Sequence, residues 1–359
     1  MCEKNMIERN VILKSVTTLK IGGKARFFCR VKTVEALRDA LVFAGQNRLP
    51  FVVIGEGSNV LVSDKGFNGL VIRMEIGGVE FESQKGGAEY RAAAGAGVRW
   101  DDLVKASVEK KLFGLENLSG IPGTVGAAPV QNIGAYGAEI KDTLHSVEAL
   151  DCETFKMRTF TNAECGFGYR DSFFKTPEGK KYIITRVSFL LRANGTPNIS
   201  YKDLQEKITN HQSPIINGQQ KITPHDVRRM VLEIRKRKFP DLKKFGTAGS
   251  FFKNPIVPAA EFALLKKKFP DLPGFSHPSL DKEGVGGGLI KIPLAWILDK
   301  LCGVKGLRIG RVGLFENQPL VLVNHGNATA AEVRSLAEKI AGLVLKKTGI
   351  KIEWEVQQI

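Results

Sequence analysis

Between Gly114 and Gly137 the chain reads GLENLSGIPGTVGAAPVQNIGAYG, a stretch with six glycines that follows neither the 3.6-residue period of a helix nor the alternation of a strand. It is also too apolar for a disordered linker. A loop of this composition is held in place for a reason, and loops held by a scaffold are where function concentrates.

The flanking segments supply strands and helices. TVEALRDALVFAGQNRLP begins with an N-cap at Thr33, keeps apolar residues at helical spacing and stops before Pro50. FVVIGEGSNVLV reads as a buried strand, a Gly-rich turn and a second strand, GLVIRM and YRAAAGAGV as further strands, and RWDDLVKASVEKKL as an amphipathic helix. Short strands return in SVEALDC and KYIITRVSFLL, and Thr223 with Pro224 opens a helix to about Arg237. Thr329 and Glu332 form a capping box, Val333, Leu336, Ile340 and Leu343 make one stripe, and Gly349 ends that helix. The closing IKIEWEV alternates, with Ile350, Ile352, Trp354 and Val356 on one face and Lys351, Glu353 and Glu355 on the other. The texture is α+β or α/β, without an internal repeat.

At 359 residues and 43% hydrophobic content the chain is long enough for two or three domains. No stretch is apolar for long enough to span a bilayer, and the start, MCEKNMIERN, is charged where a signal peptide is apolar, so a cytosolic location is expected. Cys2, Cys29, Cys152, Cys165 and Cys302 are scattered without a C-x-x-C pair, which suggests reduced thiols rather than disulfides or a metal site. The histidines His145, His211, His225, His277 and His325 form no H-x-x-x-H pair and receive no role. A formal charge of +16 points to a polyanionic partner, either nucleic acid or a nucleotide diphosphate. The densest basic run, residues 228–244, lacks the interleaved aromatics that stack bases, which weakens the nucleic-acid reading and leaves a solvated helix face as the plain alternative.

Two glycine loops could cradle a dinucleotide. GEGSNV, Gly55 to Val60, joins two strand signals where successive N–H groups can form a nest for phosphate oxygens, although such a turn is also an ordinary hairpin. SGIPGTVGAA offers further glycines and small residues. Neither is a Walker A sequence nor a G-x-G-x-x-G between strand and helix, so a Rossmann fold is not indicated. In GTAGSFFKNP, residues 246–255, Ser250 by itself reads as a turn residue, just as Arg170 reads as a surface arginine and Glu355 as the solvent face of a strand.

Taken in order, TTLKIGGKA, VIGEGSNVLV, GLENLSGIPGTVGAAPVQNIGAYG, CGFGYRDSFFK, RKRKFPD, GTAGSFFKNP and EWEV resemble the MurB family of UDP-N-acetylenolpyruvoylglucosamine reductases over nearly the whole chain. The resemblance implies an FAD-binding domain of the vanillyl-alcohol-oxidase (PCMH) type in two subdomains, residues 1–80 and 81–222. A C-terminal α/β substrate-binding domain, 223–359, follows, its terminal strand returning toward the flavin. It also implies non-covalent FAD, NADPH as co-substrate in a ping-pong order, and a UDP-sugar as substrate, in a monomer without nucleic-acid or membrane partners. The flavin would lie against Gly55, Gly57, Ser58 and Asn59 and against Ser119, Gly120, Ile121, Pro122, Gly123, Gly126 and Ala127. Substrate contacts fall on Tyr136, Tyr201, Lys238, Asn254, Phe275, Lys305 and Gln318. The catalytic positions fall on Ser250, Arg170 and Glu355. Two places depart from the family pattern: Trp354 stands where a proline is common, and Phe275 where relatives can carry a tyrosine over the uridine.

The implied chemistry suits these residue types. Hydride addition to an enol ether bearing a carboxylate drives electrons toward that carboxylate, where a fixed guanidinium, Arg170, can meet them and a carboxylic acid, Glu355, can share the load by donating a hydrogen bond. One proton must then reach carbon, and the Ser250 hydroxyl can deliver it. The alternatives are another FAD-dependent oxidase or dehydrogenase of the same fold, and a non-catalytic nucleic-acid binder.

Overall fold

The computed structural model describes residues 7–209, 215–216, 219–220, 222–277 and 288–359; Cys2 and His211 lie outside them. The chain divides into two units, one of Met1–Val11, Ala25–Glu56 and Asn68–Lys236, the other of Ile12–Lys24, Gly57–Phe67 and Arg237–Ile359. No helix among the described residues is long and apolar enough to cross a membrane.

In the first unit, β1 (Ile7–Ile12), β2 (Lys24–Val31), β3 (Phe51–Ile54) and β4 (Phe67–Met74) form a sheet in the order β1-β2-β4-β3. Thr33 caps α1 (Val34–Gln46) as the sequence predicts, its Oγ1 accepting the Ala36 N–H at 3.1 Å. β3 pairs in parallel with β4, Phe51 opposite Leu70, and has no neighbour on its other side among the described residues. The strand expected to be buried is therefore an edge strand: Phe51 is 37% exposed and only Ile54 is buried.

The second sheet of this unit contains β5 (Val79–Gln84), β6 (Glu89–Gly95), β7 (Leu144–Asp151), β8 (Met157–Thr161) and β9 (Tyr182–Arg192). Its order is β8-β7-β9-β6-β5, antiparallel throughout. At its centre Val187 lies between Val147 and Ala94. The run Ala92, Ala93 and Ala94 is buried, and so little side chain there lets other backbone approach closely. Trp100 opens α2 (Trp100–Glu109), almost fully buried, with its indole N–H donating to the Leu118 carbonyl at 2.9 Å.

α3 (Lys202–Thr209) and α4 (Pro224–Lys238) complete this unit. α4 buries Val227, Met230, Val231 and Ile234 against Leu204 and Tyr136. Its basic residues are not all solvated. The Arg228 guanidinium donates twice to Asp101, at 2.6 and 2.8 Å.

In the second unit β10 (Ile256–Pro258), β11 (Phe275–His277) and β12 (Leu289–Lys291) form an antiparallel sheet with β12 central, and α5 (Ala259–Lys268) follows β10. β13 (Val312–Phe315) and β14 (Gln318–Asn324) form a hairpin, and α6 (Ala330–Thr348) packs its apolar stripe into the same core. Both bonds of the expected capping box are present, and Gly349 ends the helix with φ 78°. Asp64 adds a second cap, accepting the Ala330 and Ala331 N–H groups at 2.7 and 3.0 Å. The stripe ends on Val344, four residues after Ile340, while Leu343 is only partly buried.

The terminal segment departs from expectation. Residues 350–356 form no continuous ladder: Trp354 makes one bridge to Phe252, and pairing resumes only where Gln357–Gln358 runs parallel to Val60–Leu61. Side-chain alternation survives, with Ile350, Ile352 and Val356 all buried. Trp354 rests edge-on against Phe251, centroids 4.9 Å apart, which gives the unusual residue a packing role.

Burial pushes the Asp101 carboxyl up, and the bonds from Arg228 and the Gly120 N–H more than offset this, holding it below its ordinary value. A folded pKa below the unfolded value of about 3.9 stabilises the fold fully above that pH, and the gain is lost as pH falls through the lower folded value. Asp101→Asn should therefore reduce stability at pH 7 by about 1–2 kcal/mol. Urea midpoints of variant and parent should converge as the pH is lowered below about 4.

Candidate functional site

The glycine-rich stretch of the first unit is laid along the chain that leaves β6. Gly126 N–H donates to the Ala96 carbonyl at 2.9 Å, Val125 N–H to Val98 at 2.8 Å, and Trp100 N–H to Gly123 at 2.9 Å. A Cβ on Gly126 would lie 2.5 Å from the Ala96 Cβ, so only glycine permits this approach. The preceding turn is fixed as well. Gly120 N–H donates to Asp101 Oδ1 at 2.6 Å, and the buried Ser119 hydroxyl to the Glu116 carbonyl at 2.6 Å. Burial also pushes the Glu116 carboxyl up, against the Gly114 N–H that it accepts.

The first glycine loop meets this ribbon: Gly123 N–H donates to Glu56 Oε2 at 2.9 Å, and Gly55 packs against the Thr124 side chain. Glu56 is also paired with Arg99 at 2.8 Å. With one edge of the ribbon bonded, Ile121 and Gly126 stay half-buried and Pro122 and Ala127 exposed. This uncharged, small-residue surface over a fixed backbone fits the flat ring or pyrophosphate of a flavin nucleotide.

Two positions of this unit expected to contact substrate are brought together. The rings of Tyr136 and Tyr201 meet edge-on, centroids 5.3 Å apart. Tyr136 is 7% exposed, and burial pushes its phenol up to about 12, against the hydrogen bond from Arg235. Its carbonyl accepts Asn117 Nδ2 at 2.8 Å. Burial likewise lowers the Arg235 guanidinium, which also packs against Gly120. Sequence reasoning missed Arg235, because a cation inside a basic run carries no mark distinguishing it from a solvated one.

Arg170 sits in a tight turn in which Gly168 and Asp171 exchange backbone bonds, at 3.0 and 3.4 Å. Its Nη2 donates to the Gly134 carbonyl at 3.1 Å, and Asn132 Nδ2 holds the Gly168 carbonyl at 3.0 Å. Tyr136 and Arg170 adopt φ 51° and 52°, a left-handed conformation costing a non-glycine residue on the order of 1–3 kcal/mol. Such strain gathers where a side chain has to be aimed.

In the second unit, Gly57 (φ 64°) turns under residues 16–18, and a Cβ there would lie 2.5 Å from the Val16 carbonyl oxygen. Thr18 donates from Oγ1 to the Thr247 carbonyl at 2.7 Å, linking that loop to the serine turn. The Thr247 hydroxyl accepts the Gly249 N–H at 3.2 Å, the task a turn serine would be given. The half-buried Ser250 makes no hydrogen bond from Oγ to another described residue. Phe251, next in the chain, bonds through its backbone to Leu320 and to Glu355, each at 2.8 Å.

Glu355 is half-buried, and its carbonyl accepts Asn59 Nδ2 at 3.2 Å, which joins an expected flavin-side residue to an expected catalytic one; Ser58 beside it is half-buried too. Glu353 differs. Its carboxylate is 72% exposed and paired with Lys253 at 2.9 Å, so the two glutamates expected on one face occupy different surroundings. Gln318 begins β14 with its Oε1 buried and without a hydrogen-bond partner among the described residues. Asn254 Oδ1 accepts the Leu294 N–H at 2.9 Å, and Lys238, the last residue of α4, is half-buried. Phe275 on β11 is 58% exposed, and Lys305 lies 4.0 Å from Asp299.

A family model described as an FAD binding domain matches residues 25–155, and one described as the C-terminal domain of UDP-N-acetylenolpyruvoylglucosamine reductase matches 240–359. The UDP-N-acetylenolpyruvoylglucosamine reductase of Pseudomonas aeruginosa is 41% identical over 97% of this chain and 98% of its own length. That of Flavobacterium johnsoniae is 39% identical over 98% and 99%. The crystal structure of the Thermus caldophilus reductase (MurB) aligns with a TM-score of 0.64 at 28% identity, covering 98% of each chain. With full-length relatives at this identity, and with both family domains matched in order, the chain belongs to the MurB family of UDP-N-acetylenolpyruvoylglucosamine reductases.

Proposed function

We infer that the chain reduces the enolpyruvyl ether of a UDP-N-acetylglucosamine enolpyruvate to the lactyl ether of UDP-N-acetylmuramate for peptidoglycan synthesis, with NADPH as reductant. The observation that carries this reading is the near full-length similarity to reductases of that name. Bound FAD supplies the hydride chemistry. Ile121, Pro122, Gly123, Gly126 and Ala127 of the glycine-rich ribbon would hold it, without a covalent link. In support, neither residues 55–60 nor 117–137 contain a histidine or cysteine.

The substrate gains one hydride and one proton across its double bond. As the hydride arrives, charge builds toward the carboxylate; the Arg170 guanidinium meets it, and Glu355 shares it through a hydrogen bond. The Ser250 Oγ then gives its proton to the carbon beside the carboxylate and regains one from solvent. Its lack of a hydrogen bond within the described residues supports this role, since the turn already has Thr247 as its cap.

The purified protein should be yellow, bleach with NADPH in the absence of oxygen and recolour with the enolpyruvyl UDP-sugar. In Ser250→Ala the NADPH step involves no carbon protonation and should keep nearly its normal rate, whereas recolouring should slow by at least ~10²-fold, the lower end of what a positioned acid supplies. Stopped-flow traces of the two half-reactions measure both; an unimpaired second step would remove Ser250 from the chemistry. Glu355→Gln should slow recolouring far more than Glu353→Gln, whose exposed carboxylate serves Lys253. Equal losses in the pair would reject Glu355.

Lys238 and Gln318 are assigned to the diphosphate. Contacts made equally in ground and transition state give uniform binding, so Lys238→Ala and Gln318→Ala should raise KM with little change in kcat. Loss of the charged contact from Lys238 should be worth about 10- to 150-fold in KM. Steady-state kinetics decide it, and a fall in kcat matching that in kcat/KM would refute the assignment.

A further inference from the structure

A cation just beyond the turn that carries Arg170 has no part in the reading above. Lys175 Nζ donates to the Arg170 carbonyl at 2.6 Å. Arg170 occupies the third position of the four-residue turn from Gly168 to Asp171, with φ 52°, where a turn of this kind favours glycine or asparagine. Its peptide is gripped from two sides. Asn132 fixes the turn at Gly168, and Lys175 fixes it at the residue whose backbone is strained.

Lys175 is itself anchored. It closes the short 3-10 helix Phe173–Lys175, whose Phe173 N–H donates to the Cys165 carbonyl at 2.8 Å and whose Phe174 ring is buried edge-on against Phe160, centroids 5.3 Å apart. Ser172 Oγ, just ahead, donates to the Val130 carbonyl at 2.8 Å, tying this helix to the glycine-rich stretch. An ammonium on so fixed a base can hold a carbonyl in one orientation, and so help to hold the backbone of the residue that owns it.

We propose that Lys175 is a positioning residue for Arg170: its ammonium holds the Arg170 peptide in the left-handed turn and so aims the guanidinium at the substrate's developing charge. The proposal rests on the role given to Arg170 above. Lys175 touches no reacting atom, and its effect should appear only in the step that Arg170 serves. Because the aim matters most in the transition state, removing Lys175 should lower kcat with KM nearly unchanged.

The test compares the FAD-loaded parent with Lys175→Met, Lys175→Arg, Arg170→Ala and the double variant Lys175→Met/Arg170→Ala, using both half-reactions and the thermal midpoint. Lys175→Met should slow recolouring by the enolpyruvyl UDP-sugar at saturation by at least about 10-fold, the lower end for a charge-assisted bond, and leave bleaching by NADPH unchanged. Lys175→Arg, which keeps a cationic donor, should recover most of that loss. The double variant should be no slower than Arg170→Ala alone, since a residue acting through Arg170 has nothing left to position. If Arg170→Ala is slow and Lys175→Met is not, the proposal fails and the role of Arg170 stands. If Arg170→Ala recolours at the parental rate, that role fails and the proposal with it. Additive losses in the double variant, equal slowing of both half-reactions, or no recovery in Lys175→Arg would show a structural lysine and overturn the positioning role. Should Lys175→Met not fold, the same criteria are applied to Lys175→Gln, with Lys175→Arg again as the rescue.

Discussion

Three backbone hydrogen bonds, from Gly126 to Ala96, Val125 to Val98 and Trp100 to Gly123, turn an apolar, glycine-rich segment into a rigid ribbon. Without them the segment would present unsatisfied peptide groups beside a hydrophobic core, which no fold tolerates. The bonds form because the alanine run of β6 and its continuation at Ala96 leave room for peptide to lie directly on peptide. Once the ribbon is fixed, other features attach to it: Glu56 through Gly123, the Asp101–Arg228 pair through Gly120, and Arg235 through Gly120 and Tyr136. The uncharged surface suited to a flavin is thus the half-exposed side of a ribbon whose backbone is fixed by these bonds.

Much of the scaffold was legible because its signals are local. The Thr33 cap, the Thr329–Glu332 box and the Gly349 stop are each satisfied within a few residues, so the sequence alone states them. The failures came where a distant partner decides. FVVI reads as buried, yet it lies at a sheet edge, a fact set by strand order rather than by composition. IKIEWEV alternates as a strand should, and its burial alternates, but the ladder is missing because Phe252 offers it a single bridge. The same limit applies to function: Arg235 and Lys175 look like any basic side chain until the carbonyl or phenol they meet is known.

The serine turn shows how two similar residues divide their duties. Thr247 and Ser250 stand three apart in one motif, and either hydroxyl could cap the turn. Thr247 does so, through the Gly249 N–H. A side chain relieved of structural duty can be selected for reactivity alone. The left-handed backbones of Tyr136 and Arg170 illustrate the converse, since there the backbone itself carries strain, and the carbonyls of both residues accept side-chain hydrogen bonds, from Asn117 and Lys175.

The second unit draws on three separated pieces of the chain, 12–24, 57–67 and 237–359. On a ribosome its first two pieces emerge long before the third, with 169 positions between residues 67 and 237. At 5 to 20 residues per second that delay is roughly ten to thirty seconds. Throughout it, Val60 and Leu61 lack the parallel partner they find at Gln357–Gln358, and Asp64 has no helix to cap. The nascent chain therefore carries unpaired strand edge and uncovered apolar surface for far longer than a hairpin takes to form. Translation speed between residues 67 and 237, rather than any single contact, sets how long this unit stays open to aggregation or to a chaperone.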